Sequence, residues 1–222
     1  MKPDPAITEL LSYLGDLGYR DLYLSPDGGA SGSEDPGQRE EALTLVAKEA
    51  AACQGCGLAE SRQTVVFASG DPKAQLMLIG EGPGANEDRE GLPFVGAAGQ
   101  LLNRILEAIG LERDNVYVAN IVKCRPPGNR NPQPDEIAAC SSFLERQIDL
   151  VQPKVLVALG RVAAHALLRS DQSLGRLRGS WYEVQGVPTR VTYHPAALLR
   201  NEDLKRPTWQ DMQVVRDRLK AP

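Results

Sequence analysis

The sequence predicts an α/β fold in which helices cover both faces of a short, mainly parallel four-stranded sheet. Apolar segments of strand length alternate with helical patterns, and this alternation is typical of parallel sheets. Ligands of such sheets bind beyond the carboxyl ends of the strands, where the unusual motifs of this chain lie. Four segments have the features of buried strands, the last being the least apolar: 75–80, 116–122, 154–160 and 189–193.

Helical periodicity predicts the elements between and after these strands. Gly110 is placed to terminate one helix, and Pro134 suits the first turn of another. The predicted helices cover about residues 97–110, 134–151, 161–169 and 207–219.

Residues 1–38 are predicted to be a helix and a flexible linker outside the folded domain. Apolar residues recur at helical spacing over 7–19. Residues 25–38 (SPDGGASGSEDPGQ) contain little that a core could bury, which is typical of a linker. We expect a domain over 39–222 that opens with a helix at about 39–52, and an N-terminal extension available to dock a partner protein.

The composition favours a cytoplasmic protein with a modest basic bias in its second half. Apolar residues make up 42% of the chain, but no apolar run reaches the roughly 18 residues of a membrane span. The N-terminus lacks the basic region of a signal peptide. The net charge is −4, yet residues 101–222 hold 18 Lys and Arg against 13 Asp and Glu. That half could present a basic surface to phosphates, although many enzymes show a similar asymmetry.

Two glycine-rich loops follow or precede predicted elements. Gly80-Glu81-Gly82-Pro83-Gly84 follows a strand, and such a loop lets backbone N–H groups approach a ligand closely. It is neither a Walker A loop nor a GxGxxG motif, and an ordinary turn is an equally good interpretation. Phe94 lies in the second loop, Gly91-Leu92-Pro93-Phe94-Val95-Gly96, and suits either stacking on a base or closing the edge of the core.

Two polar residues occupy predicted strand ends. Asn120 offers a donor and an acceptor, the pattern that reads a pyrimidine edge, or it pins a loop. His194 follows the last strand and suits acid/base chemistry or anion stabilisation. Leu198, Leu199 and Arg200 come next, and they suit either an apolar wedge for DNA or a turn packed on the core.

The four cysteines indicate a metal or cluster site rather than disulfides. Cys53 and Cys56 form a CxxC pair, and Cys124 and Cys140 follow at wide spacing. Four thiolates match a structural zinc or a [4Fe–4S] cluster. Redox chemistry at the CxxC pair and four unrelated buried thiols remain alternatives.

Taken together, these motifs resemble the family 4 uracil-DNA glycosylases, the iron–sulfur type of bacteria and archaea. The resemblance covers about residues 51–219. It rests on five segments that match in order: CQGCGLAESR (53–62), LIGEGPGANEDREGLPFVGAAGQLLNRIL (78–106), VYVANIVKCRPPGNRNPQPDEIAAC (116–140), PKVLVALGRVAAHALL (153–168) and VTYHPAALLRN (191–201).

The resemblance implies a three-layer α/β/α sandwich with a [4Fe–4S] cluster and a monofunctional enzyme that removes uracil from DNA. The cluster is expected to act structurally. Expected ligands are Cys53, Cys56, Cys124 and Cys140, and the expected catalytic residues are Glu81, His194 and, with a less defined role, Glu87. The expected substrate-binding residues are Gly82, Phe94, Asn120, and Leu198 or Leu199 as the wedge.

Two further expectations concern DNA contacts and water activation. Lys123, Arg125 and Arg130 lie in the loop around Cys124 and are candidates for phosphate binding. Gly82 stands where the better-known single-domain uracil glycosylases carry Asp, so the group that activates water is left open. We expect uracil-containing DNA as the partner, a monomer, and association with the nucleoid.

Three alternatives stay open from the sequence. A uracil-trapping relative that binds without turnover resembles this chain, but it carries Gln at the position of Gly82 and a basic insertion with a His. A non-catalytic iron–sulfur DNA-binding module is the second. A structural zinc protein is the third, and its lack of colour would distinguish it.

Overall fold

The computed structural model describes residues 36–221, and the predicted helix over 7–19 lies outside them. The first described helix, α1 (Pro36–Ala52), begins three residues before the predicted start, so the predicted linker overlaps it at residues 36–38. The described residues belong to one compact unit. In the described part of the chain no helix is long and apolar enough to cross a membrane.

The central sheet contains the four predicted strands in parallel and two further strands at its edges. In chain order the strands are β1 (Ser69–Gly70), β2 (Leu76–Gly80), β3 (Tyr117–Asn120), β4 (Val155–Leu159), β5 (Trp181–Val184) and β6 (Val187–Thr192), and their spatial order is β1-β3-β2-β4-β6-β5. The central pairs β3–β2, β2–β4 and β4–β6 are parallel, with Gly80 level with Asn120. The edge pairs are antiparallel.

The prediction of four strands was therefore too low by two, for a physical reason at each edge. β1 has only two residues, too short for a sequence pattern. β5 alternates exposed and half-buried residues and forms a hairpin with β6. Its two-residue turn, Gln185-Gly186, has positive φ at both positions, as a tight hairpin favours.

The helices agree closely with the predicted ones. Helix α4 (Ala97–Ala108) ends just before Gly110, as predicted. Gly110 has a φ of 79°, and the N–H groups of Gly110 and Leu111 donate to Glu107 and Leu106, which satisfies the last carbonyls of the helix. The helices after α1 are α2 (Leu58–Ser61), α3 (Ala85–Glu90), α4 (Ala97–Ala108), α5 (Pro134–Val151), α6 (Arg161–Leu168), α7 (Leu174–Leu177), α8 (Pro195–Arg200) and α9 (Lys205–Lys220).

Alternate residues of the strands face two separate cores, which confirms the three-layer α/β/α architecture. Met77 and Ile79 of β2 belong to a core with residues of α1, α5 and α6. Leu76 and Leu78 belong to the opposite core, with residues of α4 and α9. Because both faces are covered, the central strands β2 and β4 are buried and apolar throughout, and these strands are accessible at the edge where they end.

Candidate active site

Most of the predicted catalytic and substrate-binding residues line one cleft of about 450 Å³ at the carboxyl ends of β2, β3 and β6. The loop after Gly80 forms one wall, and Asn120 is the last residue of β3. His194 follows β6 at the start of α8. Six predicted residues line the cleft: Glu81, Gly82, Glu87, Phe94, Asn120 and His194.

Asn120 presents an unused acceptor to this cleft. Its side chain is only 2% exposed, and among the described residues Oδ1 has no hydrogen-bond partner. Gly80 lies beside it: a Cβ there would come within 2.4 Å of Asn120 Oδ1 and 2.6 Å of Phe94 Cζ. A buried acceptor without a partner is costly, so this arrangement favours a ligand that supplies the missing donor.

Phe94 is held in a strained conformation beside Asn120. Its φ is 57°, which is uncommon for an aromatic residue and costs on the order of 1–3 kcal/mol. Gly99 of α4 allows the helix to approach, because a Cβ there would come within 1.6 Å of the Phe94 carbonyl oxygen. The Phe94 and His194 rings are stacked, with centroids 5.4 Å apart and an interplanar angle of 30°.

His194 is fixed in one tautomer. Its Nδ1 accepts a hydrogen bond from the backbone N–H of Ala196 at 3.1 Å, so the proton of the neutral ring must lie on Nε2. Burial lowers the pKa of His194 to about 4, and the positive charge of Arg200 acts in the same direction, whereas Glu87 opposes it. The ring is therefore a neutral Nε2–H donor at physiological pH.

The two candidate carboxylates have different surroundings. Glu87 Oε1 accepts from the N–H groups of Val95 and Gly96, and Oε2 accepts from Gly84, all at 3.0–3.1 Å. Glu87 thereby joins the two glycine-rich loops. Glu81 is half-buried, and burial raises the pKa of its carboxyl group, an effect that Arg161 reduces.

The two neighbouring leucines of α8 differ in exposure because successive helical residues point in different directions. Leu198 is 2% exposed, whereas Leu199 is 48% exposed. The side chain of Leu198 therefore lies in the protein interior, and its contact with substrate stays a prediction. Leu199 remains the candidate for the wedge, although it does not line the cleft.

The four cysteines surround one small cavity, together with Arg62, Lys123 and Phe143. Cys53 and Cys56 follow α1, Cys124 follows β3, and Cys140 lies on α5. Three N–H groups donate to sulfur at 3.3 Å: those of Gly55 to Cys53, Arg62 to Cys124 and Lys123 to Cys140. Burial raises the pKa of the Cys124 and Cys140 thiols. Within residues 36–221 no group of three or more His, Cys, Asp or Glu side chains is arranged to hold a metal ion.

The predicted phosphate contacts around Cys124 need one correction. Lys123 is 2% exposed, so it cannot reach DNA, and burial lowers its pKa to about 8. Arg130 is half-exposed and pairs with both oxygens of Glu136, and Arg125 donates to Asn129. Arg125 and Arg130 therefore remain candidates for phosphate binding.

Comparison with known sequences identifies the class of protein that has this fold and cleft. The chain belongs to the Uracil DNA glycosylase superfamily, whose family profile matches residues 67–213. Within that superfamily it belongs with the type-4 uracil-DNA glycosylases, as the motifs predicted. It is 43% identical to the type-4 uracil-DNA glycosylase of Sulfurisphaera tokodaii over 80% of this chain and 84% of the relative. The type-4 enzyme of Thermotoga maritima is 39% identical over 82% of this chain and 97% of its own length.

Proposed function

We propose that this protein is a monofunctional uracil-DNA glycosylase, which hydrolyses the N-glycosidic bond of uracil in DNA and so initiates base excision repair. The observation that carries the proposal is the buried, unpartnered Oδ1 of Asn120 beside Phe94, in a cleft shared with a neutral His194. Membership of the superfamily supports uracil-containing DNA as the ligand.

Asn120 supplies the selectivity for uracil. Its Oδ1 accepts the N3–H of an extruded uracil, and its amide donates to O4, while Phe94 stacks on the ring. Cytosine presents a bare N3 and an amino group at these two positions, so it would leave buried polar groups unpaired. Extruding the base costs a few kcal/mol. The exposed Leu199 is the side chain that fills the space the base leaves.

Bond cleavage is assisted by stabilisation of the departing base. As the bond between C1′ and N1 breaks, its electron pair stays on uracil, and the Nε2–H of His194 stabilises that negative charge. Water then adds to the cationic C1′, and the proton that it loses passes by way of solvent to the uracil anion, giving neutral uracil and an abasic sugar. Glu81 is the better candidate to orient this water, because the Glu87 carboxylate is already occupied by backbone N–H groups. Lys123, three residues after Asn120, is buried and does not line the cleft. This supports a reaction without an amine nucleophile.

Cys53, Cys56, Cys124 and Cys140 are the residues that would hold a [4Fe–4S] cluster. The fit is supported by four sulfurs around one cavity and by N–H donors aimed at three of them. Bound there, a cluster would tie the end of α1 to β3 and α5 and add no redox step to base excision. Monomeric state and association with the nucleoid stay predictions.

The proposal is tested with end-labelled oligonucleotides that carry a single uracil, in single-stranded and duplex form. Alkali-dependent cleavage at uracil is expected, with none when thymine or cytosine takes its place. Cleavage without alkali would contradict a monofunctional mechanism. Stable binding of uracil-DNA without cleavage would support the trapping alternative instead.

A further inference from the structure

Lys123 is a fully buried cation that the proposed reaction does not use. It follows β3, three residues after Asn120 and directly before Cys124. Its side chain is among the largest that the described chain buries completely. In residues 36–221 it forms no ion pair with any carboxylate. Burial of an ammonium group is costly unless hydrogen bonds and a counter-charge compensate it.

The hydrogen bonds of the ammonium group lead to the residue that reads uracil. Lys123 Nζ donates to the backbone carbonyl of Asn120 at 2.8 Å and to Gln147 Oε1 at 2.5 Å. Gln147 is itself held, since its Nε2 donates to the Tyr117 hydroxyl at 3.1 Å and to the Phe67 carbonyl at 3.2 Å. Lys123 therefore fixes the backbone of Asn120 through a buried network that spans β3 and α5.

Lys123 also lies beside the Phe67 ring, with Nζ 5.8 Å from the ring centroid, and beside the cysteines. Its side chain borders the cavity that the four cysteines line, and its backbone N–H donates to Cys140 Sγ. Cysteines that ligate a cluster do so as thiolates. With a cluster bound, these thiolates would supply the negative charge that the buried ammonium otherwise lacks.

We propose that Lys123 is a positioning residue through which the cysteine site holds Asn120 in its uracil-reading position. This inference rests on the proposed function. The occupied cysteine site provides the counter-charge that keeps Lys123 buried, and Lys123 clamps the Asn120 carbonyl. The Asn120 side chain lies so close to Gly80 that a Cβ there would be 2.4 Å from Oδ1, so fixing the Asn120 backbone restricts where its amide can point.

The test uses the cluster-loaded protein and the variant Lys123→Met, with Lys154→Met, the same change at an exposed lysine, as control. Binding of 5-fluorouracil, followed by fluorine NMR, is expected to weaken at least fivefold in Lys123→Met alone. The reduction potential of the cluster is expected to shift to lower values, because a nearby positive charge is lost. Unchanged affinity and potential in a folded Lys123→Met protein would overturn the inference.

A second variant keeps the test decisive if Lys123→Met does not fold. Gln147→Met retains the lysine charge but removes one of its two acceptors. It is expected to weaken 5-fluorouracil binding at least twofold and to leave the potential unchanged. Affinity equal to that of the wild type would count against the positioning role. Failure of the wild-type protein to excise uracil would instead refute the proposed function.

Discussion

Gly80 and Asn120 stand side by side at the ends of β2 and β3, so closely that a Cβ on Gly80 would lie 2.4 Å from Asn120 Oδ1. This contact makes the glycine a part of the proposed uracil-binding surface. The same Cβ would press against the Phe94 ring. Any side chain at position 80 must therefore displace Asn120 and Phe94, the two residues proposed to read and stack the base.

Gly80→Ala is expected to lower the rate of uracil excision by about 10²-fold, comparable to the loss of a positioned catalytic donor. The measurement is a single-turnover rate on a uracil-containing duplex. Gly175→Ala is the matched control, because a Cβ at Gly175 meets nothing within 4 Å. A rate for Gly80→Ala within twofold of the control would show that the close contact is irrelevant to catalysis.

Glu81 and Glu87 are expected to differ in the kind of damage their loss causes. Glu87→Ala leaves three backbone N–H groups without their acceptor, so it should destabilise the fold by roughly 2 kcal/mol, as well as slow excision. Glu81→Gln should slow excision with little change in Tm. Thermal unfolding and rates of both variants check this. A Glu81→Gln enzyme of full activity, beside a stable but inactive Glu87→Ala, would reverse the two assignments.

The partly buried His194 is expected to make stability depend on pH in the acidic range. Its folded pKa is about 4, below the ordinary value of 6.5, so the unfolded chain binds more protons between these values. The contribution of His194 is complete above about pH 6.5 and is lost as the pH falls towards 4, by roughly 2–3 kcal/mol at pH 4.5. The check is the difference in unfolding free energy between the wild type and His194→Gln from pH 4.5 to 7.5. A pH-independent difference would mean that the ring is not buried in its neutral form.

Gly82 is expected to resist replacement by Asp because of Val122. A Cβ at Gly82 would lie 2.8 Å from Val122 Cγ2, and the branched side chain of valine has little freedom to move. Gly82→Asp should lower Tm and activity, and adding Val122→Ala should recover part of both. A double-mutant cycle on Tm measures the coupling. Strictly additive effects would show that Val122 does not exclude a side chain at position 82.

The parts of the fold that the sequence predicts best are those whose burial is uniform. β2, β3 and β4 lie between two helical layers, so continuous apolar segments mark them. β5 escaped prediction because its alternating exposure and its pairing in a hairpin leave only a weak pattern. The sequence also could not distinguish Leu198 from Leu199 as the wedge, since one helical step separates a buried from an exposed side chain.

The residues of the cleft were predictable as polar or aromatic groups at strand ends, but their partners were not. Lysine is usually a surface residue, and only the fold shows that the ammonium group of Lys123 donates to Asn120 and Gln147 in the interior. Likewise, the occupied carboxylate of Glu87 depends on two loops meeting. The glycine-rich loop over 80–84 indicated close approach of a ligand to the backbone, but the sequence could not show that Asn120 and Phe94 lie against Gly80.

Asn120, at the end of β3, is proposed to read uracil for hydrolysis. Release of free uracil by an Asn120→Ala variant tests this role. The measurement is the single-turnover release of uracil from a duplex, with Asn115→Ala, an exposed asparagine at the opposite end of β3, as control. The expected rate is at least tenfold below that of the wild type for Asn120→Ala and normal for the control. A near-wild-type rate in folded Asn120→Ala would remove Asn120 from uracil recognition and contradict the account.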